Sequence, residues 1–89
     1  MKTQTIRCIV AATDGGGEPS LFPVFVECTE DQYHDGLHYV AAREAAEDAG
    51  YEAYLVLDEN DHADLMDATD KHGGPLFWWG EAPIVRADP

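Results

Sequence analysis

Thr29-Glu30-Asp31-Gln32 constrains this chain more than any other stretch, because it opens a helix at a defined residue. The Thr29 hydroxyl can accept from the Gln32 N–H while the Gln32 side chain reaches back, the reciprocal arrangement of a capping box. Tyr33, Leu37, Val40, Ala41, Ala45 and Ala49 then recur at three- and four-residue spacing, which draws one apolar stripe, and Gly50 supplies a left-handed stop. The spacing predicts one long helix from Thr29 to Gly50. Gly36 is out of place inside it and marks close packing or a bend.

Strand-length apolar segments flank this helix. Thr3 to Ala12 reads as a strand with Ile6, Cys8 and Val10 on one face and Thr5, Arg7 and Ile9 on the other. A polar, glycine-rich loop, 13–20, leads to a second strand from Leu21 to Cys28, in which Pro23 demands an edge or a place near the strand's start. A hairpin closed around Gly16 and Gly17 would bring Cys8 near Phe25 and Cys28 near Thr5, so no disulfide is expected and both cysteines read as buried thiols. Tyr51 to Leu57 is dense enough in aromatic and branched residues for a central strand packed on both faces. Asn60 or Asp61 can then cap a short helix carrying Leu65, Met66 and Thr69 inward, stopped by Gly73-Gly74-Pro75. Leu76 to Trp79 and Pro83 to Ala87 form a last strand interrupted or bulged at Gly80. The order ββαβαβ predicts an α+β fold, a four-stranded mixed sheet with one long and one short helix packed on one face. At 89 residues, 1–89 make a single domain with one core.

Charge sets the partner. Against 18 Asp and Glu stand 5 Lys and Arg, a formal net charge of −13. Approach to nucleic acid or an anionic membrane is opposed by like-charge repulsion, and a cationic partner is favoured. The start Met-Lys-Thr-Gln-Thr lacks the apolar run of a secretory signal, and with cysteines in apolar contexts this points to a reduced, cytoplasmic protein.

Two short motifs invite chemistry and fall short of it. His34-Asp35-Gly36-Leu37-His38 resembles, over five residues, the His-Glu-x-x-His element of zinc peptidases, with Asp in place of Glu; a third ligand and a cleft are missing. Asp58-Glu59-Asn60-Asp61-His62 opens like a calcium loop, but Ala63 stands where Gly is needed and Thr69 where a bidentate Glu is needed. Phosphate-binding and nucleophile-elbow motifs are lacking. No catalytic residue, metal ligand set or cofactor is assigned, and a non-enzymatic protein is expected.

The acidic residues themselves are patterned. Asp58, Asp61, Asp64, Asp67 and Asp70 recur every three residues with Glu59 beside them, and on a helix the last four would draw a slanted line of carboxylates. Glu44, Glu47, Asp48 and Glu52 make a second patch, and no Lys or Arg lies between Arg43 and Lys71. Ordinary solvated faces mix both signs; a purely solubilising surface and a salt- or acid-adapted composition are the plain alternatives. Trp78 and Trp79, adjacent in a strand, point to opposite faces: one can be core, and the other is covered by a helix or the rest of the sheet or, alternatively, serves as an interface anchor.

In composition and size the chain is similar to the small acidic inhibitors that phages and mobile elements use against host nucleic-acid-handling enzymes: DNA mimics, anti-restriction and anti-CRISPR proteins. The resemblance implies an inhibitor or regulator that docks on a basic nucleic-acid-binding surface of another protein. The partner-binding residues are then Asp58, Glu59, Asp61, Asp64, Asp67, Asp70, Glu44, Glu47, Asp48, Trp78 and Trp79. The alternative is a small interaction domain that self-associates, as a homodimer, with acidity serving solubility.

Overall fold

The computed structural model of the chain describes residues 2–62 and 79–87. Strands β1 (Thr3–Thr13) and β2 (Pro19–Thr29) form an antiparallel hairpin, followed by helices α1 (Glu30–His34) and α2 (Leu37–Asp48), strand β3 (Glu52–Asp58), a 3₁₀ turn (Trp79–Glu81) and strand β4 (Ile84–Arg86). The sheet order is β3-β1-β2-β4, with β1 antiparallel to both neighbours and β4 parallel to β2. This is the expected four-stranded mixed sheet of an α+β fold, with two helices packed nearby. β2 and β3, both antiparallel to the β1 between them, run parallel to one another, and α1 and α2 make the crossover. No helix among the described residues is long and apolar enough to cross a membrane.

The hairpin differs from expectation by one residue of register. Cys8 stands opposite Val24 and Cys28 opposite Gln4, because the turn centres on Gly16 and not between Gly16 and Gly17. Asp14 fixes that centre: its Oδ1 accepts from the N–H groups of Gly16 at 2.8 Å and Glu18 at 3.0 Å, and Gly17 takes a left-handed φ of 83°. The observed register puts Ile6, Cys8, Val10 and Ala12 on one face with Val24, Val26 and Cys28, all buried in one core cluster. A one-residue slip would have turned one strand's set to the opposite face. Pro23 lies in an interior strand after all. Phe25 donates its N–H to Pro83 O on the β4 side, so two residues earlier the missing N–H of Pro23 points past the end of β4, which pairs only with Phe25–Glu27.

The capping box forms as predicted: Gln32 N–H donates to Thr29 Oγ1 at 3.2 Å and Thr29 N–H to Gln32 Oε1 at 2.8 Å. Gln32 Nε2 also donates to Ala87 O at 2.8 Å, tying the cap to the residue after β4. The single long helix, however, is two helices. Gly36 adopts a left-handed φ of 75°, and the bend there resets the helical phase. The buried residues of α2 are consequently His38, Ala41, Ala42 and Ala46, whereas Val40 of the predicted stripe is 51 % exposed and Ala49 lies at the surface. Small side chains let the α2 backbone approach the sheet closely, and Ala41, Ala42 and Ala46 join the same core as Val24 and Val26. Gly36→Ala should cost about 1–2 kcal/mol in urea denaturation from the left-handed backbone alone, since the new Cβ would meet Tyr39 at an ordinary 3.7 Å.

Two further expectations change. β3 is not central but, among the described residues, an edge strand paired only with β1, with Tyr54 61 % and Leu55 56 % exposed. Trp79 sits in a 3₁₀ turn and not in a strand, so face alternation does not govern it. The short helix placed before Gly73 and the segment Leu76 to Trp78 lie outside the described residues.

Candidate functional site

Among the described residues, the buried polar or charged side chains are His38, 2 % exposed, and Asp58, 1 % exposed. They meet. Asp58 falls on the same face of β3 as Val56, opposite Cys8, and so turns toward α2. Its Oδ2 lies 2.9 Å from His38 Nε2 and accepts from the Tyr39 hydroxyl at 2.8 Å, while Oδ1 accepts from the Asp61 N–H at 3.0 Å. Tyr33 stacks on the His38 ring, 4.7 Å between centroids and 11° between planes. Asp58 O also accepts from His62 N–H, so Asp58 closes the turn that follows β3.

The electrostatics follow from this packing. Burial alone would raise the Asp58 carboxyl, but the hydrogen bonds from His38, the Asp61 backbone and Tyr39 outweigh it and leave the group below its ordinary range. Burial, the hydrogen bond to Asp58 and its negative charge push the Tyr39 hydroxyl up. Cys8 is pushed up to about 12, first by burial and then by the Asp58 charge, and burial raises Cys28, so neither thiol is poised as a nucleophile. The hydrogen-bond pattern assigns the shared imidazole proton to Nε2 and leaves the buried Nδ1 without a hydrogen-bond partner. Sealed by Tyr33 and the sheet, this pair organises the interior and presents no reactive atom to solvent.

The two histidines of the zinc-like motif are separated by the bend at Gly36. His34 ends α1, exposed, with Nε2 3.6 Å from Glu30, while His38 faces the sheet. Among the described residues, no group of three or more His, Cys, Asp or Glu side chains is placed to hold a metal ion.

The proposed partner-binding residues divide into four sets. Asp58 is buried and holds the interior together, so it is not part of an exposed carboxylate line. Glu59 is half-buried and engaged with Arg7: Oε2 accepts from Arg7 Nε at 3.0 Å and Oε1 from the Arg7 N–H at 3.1 Å. That Arg7 guanidinium lies 5.8 Å from the Trp79 ring, and Trp79 packs on Phe25 at 5.2 Å, so the half-buried indole covers the sheet face opposite α2. Asp61, Glu44, Glu47 and Asp48 are exposed. Asp64, Asp67, Asp70 and Trp78 lie outside the described residues. Comparison with family models, curated proteins and solved structures finds no match.

Proposed function

We propose that this chain is a non-enzymatic, cytoplasmic binding protein whose carboxylate surface docks on the basic, nucleic-acid-binding surface of another protein. It would act there as a regulator or inhibitor of the DNA-mimic kind used in phage and mobile-element anti-defence, such as anti-CRISPR or anti-restriction. The observation that carries this reading is where the exposed acids sit. Glu44, Glu47 and Asp48 crowd the C-terminal end of α2, whose last turn holds no basic residue. The negative end of the helix dipole disfavours carboxylates there, and among the described residues Arg43 pairs with Glu47 at 3.9 Å. An arrangement that costs stability on a chain already at −13 is better explained by a partner than by solvation. Among the described residues, the burial of the hydrogen-bonded His38 and Asp58 supports binding over catalysis.

The test is retention of basic nucleic-acid-binding proteins by the immobilised chain at low salt, their release by added duplex DNA, and their loss as salt rises. The chain itself should retain no duplex DNA at moderate salt. Direct DNA binding, or protein capture indifferent to DNA competitor, would overturn the reading.

A further inference from the structure

We infer that the edge of β3 left unpaired among the described residues and the facing side of α2 form a strand-docking site for an extended, apolar segment flanked by Lys or Arg in the partner protein. The inference rests on the proposed cationic partner and adds where and in what conformation that partner is held. Edge strands of monomeric proteins are usually blunted by bulges, Lys, Pro or inward charges. β3 reads Glu52-Ala53-Tyr54-Leu55-Val56-Leu57-Asp58, with no Lys or Pro, and its one inward charge, Asp58, is consumed by His38 and Tyr39. The register shift at Ala11/Ala12 makes Tyr54 the extra residue of a bulge, leaving Leu55–Asp58 as regular edge. Glu59 N–H donates to Arg7 O, and the antiparallel alternation then turns the Val56 N–H and C=O away from β1.

Beside this edge runs a groove of about 270 Å³ between Tyr39, Val40 and Arg43 of α2 and Tyr54, Leu55 and Val56 of β3. Exposed Val40, Tyr54 and Leu55 make its rim apolar. Exposed carboxylates stand at both ends of the strand, Glu52 as its first residue and Asp61 after it, and the groove's own cation, Arg43, lies beside Glu47. A strand added here therefore finds apolar contact along the middle and negative charge at both ends, which selects an apolar core with basic flanks. A second copy of this chain would set Glu52 and Asp61 against the same carboxylates, with −13 on each side, so charge opposes self-pairing at this edge.

The probe is a labelled peptide with a Val-Thr-Val-Thr centre and two lysines on each side, compared with the same peptide carrying proline for the second valine. Binding is followed by fluorescence anisotropy and by backbone amide shifts. The parent peptide should bind with shifts concentrated at residues 54–57, and both the proline peptide and the Val40→Ser/Tyr54→Ser variant should weaken binding by about tenfold or more, because neither alters the charge. Circular dichroism of the variant confirms its fold. Equal binding of both peptides would overturn the edge site while leaving an acidic docking surface intact, as would failure of the parent peptide to bind while basic proteins are still retained at low salt. A concentration-dependent dimer abolished by Val40→Ser/Tyr54→Ser would overturn it in favour of a second copy.

Discussion

Asp58→Ala is expected to lower the unfolding free energy by about 3–5 kcal/mol, the cost of leaving several buried hydrogen-bond donors without their charged acceptor. The carboxylate accepts three hydrogen bonds, from His38, Tyr39 and the Asp61 N–H, and its loss strands a buried imidazole that already has one unpartnered nitrogen. With a total of roughly 5–15 kcal/mol for a small domain, the variant sits near its unfolding threshold, and its melting temperature should fall by roughly 12 °C or more. The double variant His38→Leu/Asp58→Leu should recover much of that loss, since replacing both partners of a buried hydrogen bond by well-packed apolar groups is often nearly neutral. Urea denaturation of the three proteins decides the matter. A loss under about 1 kcal/mol for Asp58→Ala, the size of an ordinary surface change, would show that the pair does not organise the core.

Acid should expose the same contribution. Asp58 has a native carboxyl lowered below its unfolded value, so the unfolded chain binds the proton more readily. The stabilisation is fully present above the ordinary carboxyl range and is lost as pH falls through the lower native value, a window beginning near pH 4 and extending downward. Protonating the exposed carboxylates acts oppositely by relieving repulsion, so the informative quantity is the difference between the wild type and Asp58→Asn. Their urea midpoints should converge as pH drops from 5 toward 2; a constant gap would mean that Asp58 is not ionised in the native protein.

What was legible in the sequence was whatever depended on local chemistry. The capping box at Thr29, the stop at Gly50 and the segments that became β1, β2 and β3 each follow from neighbouring residues, and the mixed sheet follows from their order. What was obscured depended on parity or phase. The hairpin register turned on whether Asp14 closes an odd or an even loop, although the alternation of Ile6, Cys8 and Val10 against Val24, Val26 and Cys28 already favoured the observed one. Gly36 marks a bend in the sequence, but the spacing of Tyr33, Leu37, Val40 and Ala41 runs straight through it and so places Val40 inside, where the structure buries His38 instead. Asp58 was hidden by company: it begins a regular three-residue run of aspartates and so reads as surface. Its parity with Val56 in β3, set beside a histidine three and four residues ahead of Ala41 and Ala42, was the signal that pairs them.

Reversing the exposed acids at the end of α2, with Glu44→Lys, Glu47→Lys and Asp48→Lys together, should separate stability from binding in opposite directions. Lysines at the helix C-terminus meet the dipole favourably, at about 0.3–1 kcal/mol each, and the chain's self-repulsion falls, whereas the exposed Arg43–Glu47 contact given up is worth under about 1 kcal/mol. The triple variant should therefore melt higher than the wild type. Its association with a basic partner should slow by about tenfold or more at low salt, because long-range attraction acts on the encounter rate. The two proteins' rates should converge as salt rises and the screening length shrinks toward 3 Å near 1 M, by the usual Debye relation. Stopped-flow association across a salt series, with melting curves on the same preparations, reads both effects. Unchanged association with raised stability would make these acids a solvated face that the fold merely tolerates. Slowed association with no salt dependence would place the contact in a few desolvated pairs and remove the physical basis for mimicry of a nucleic-acid charge array.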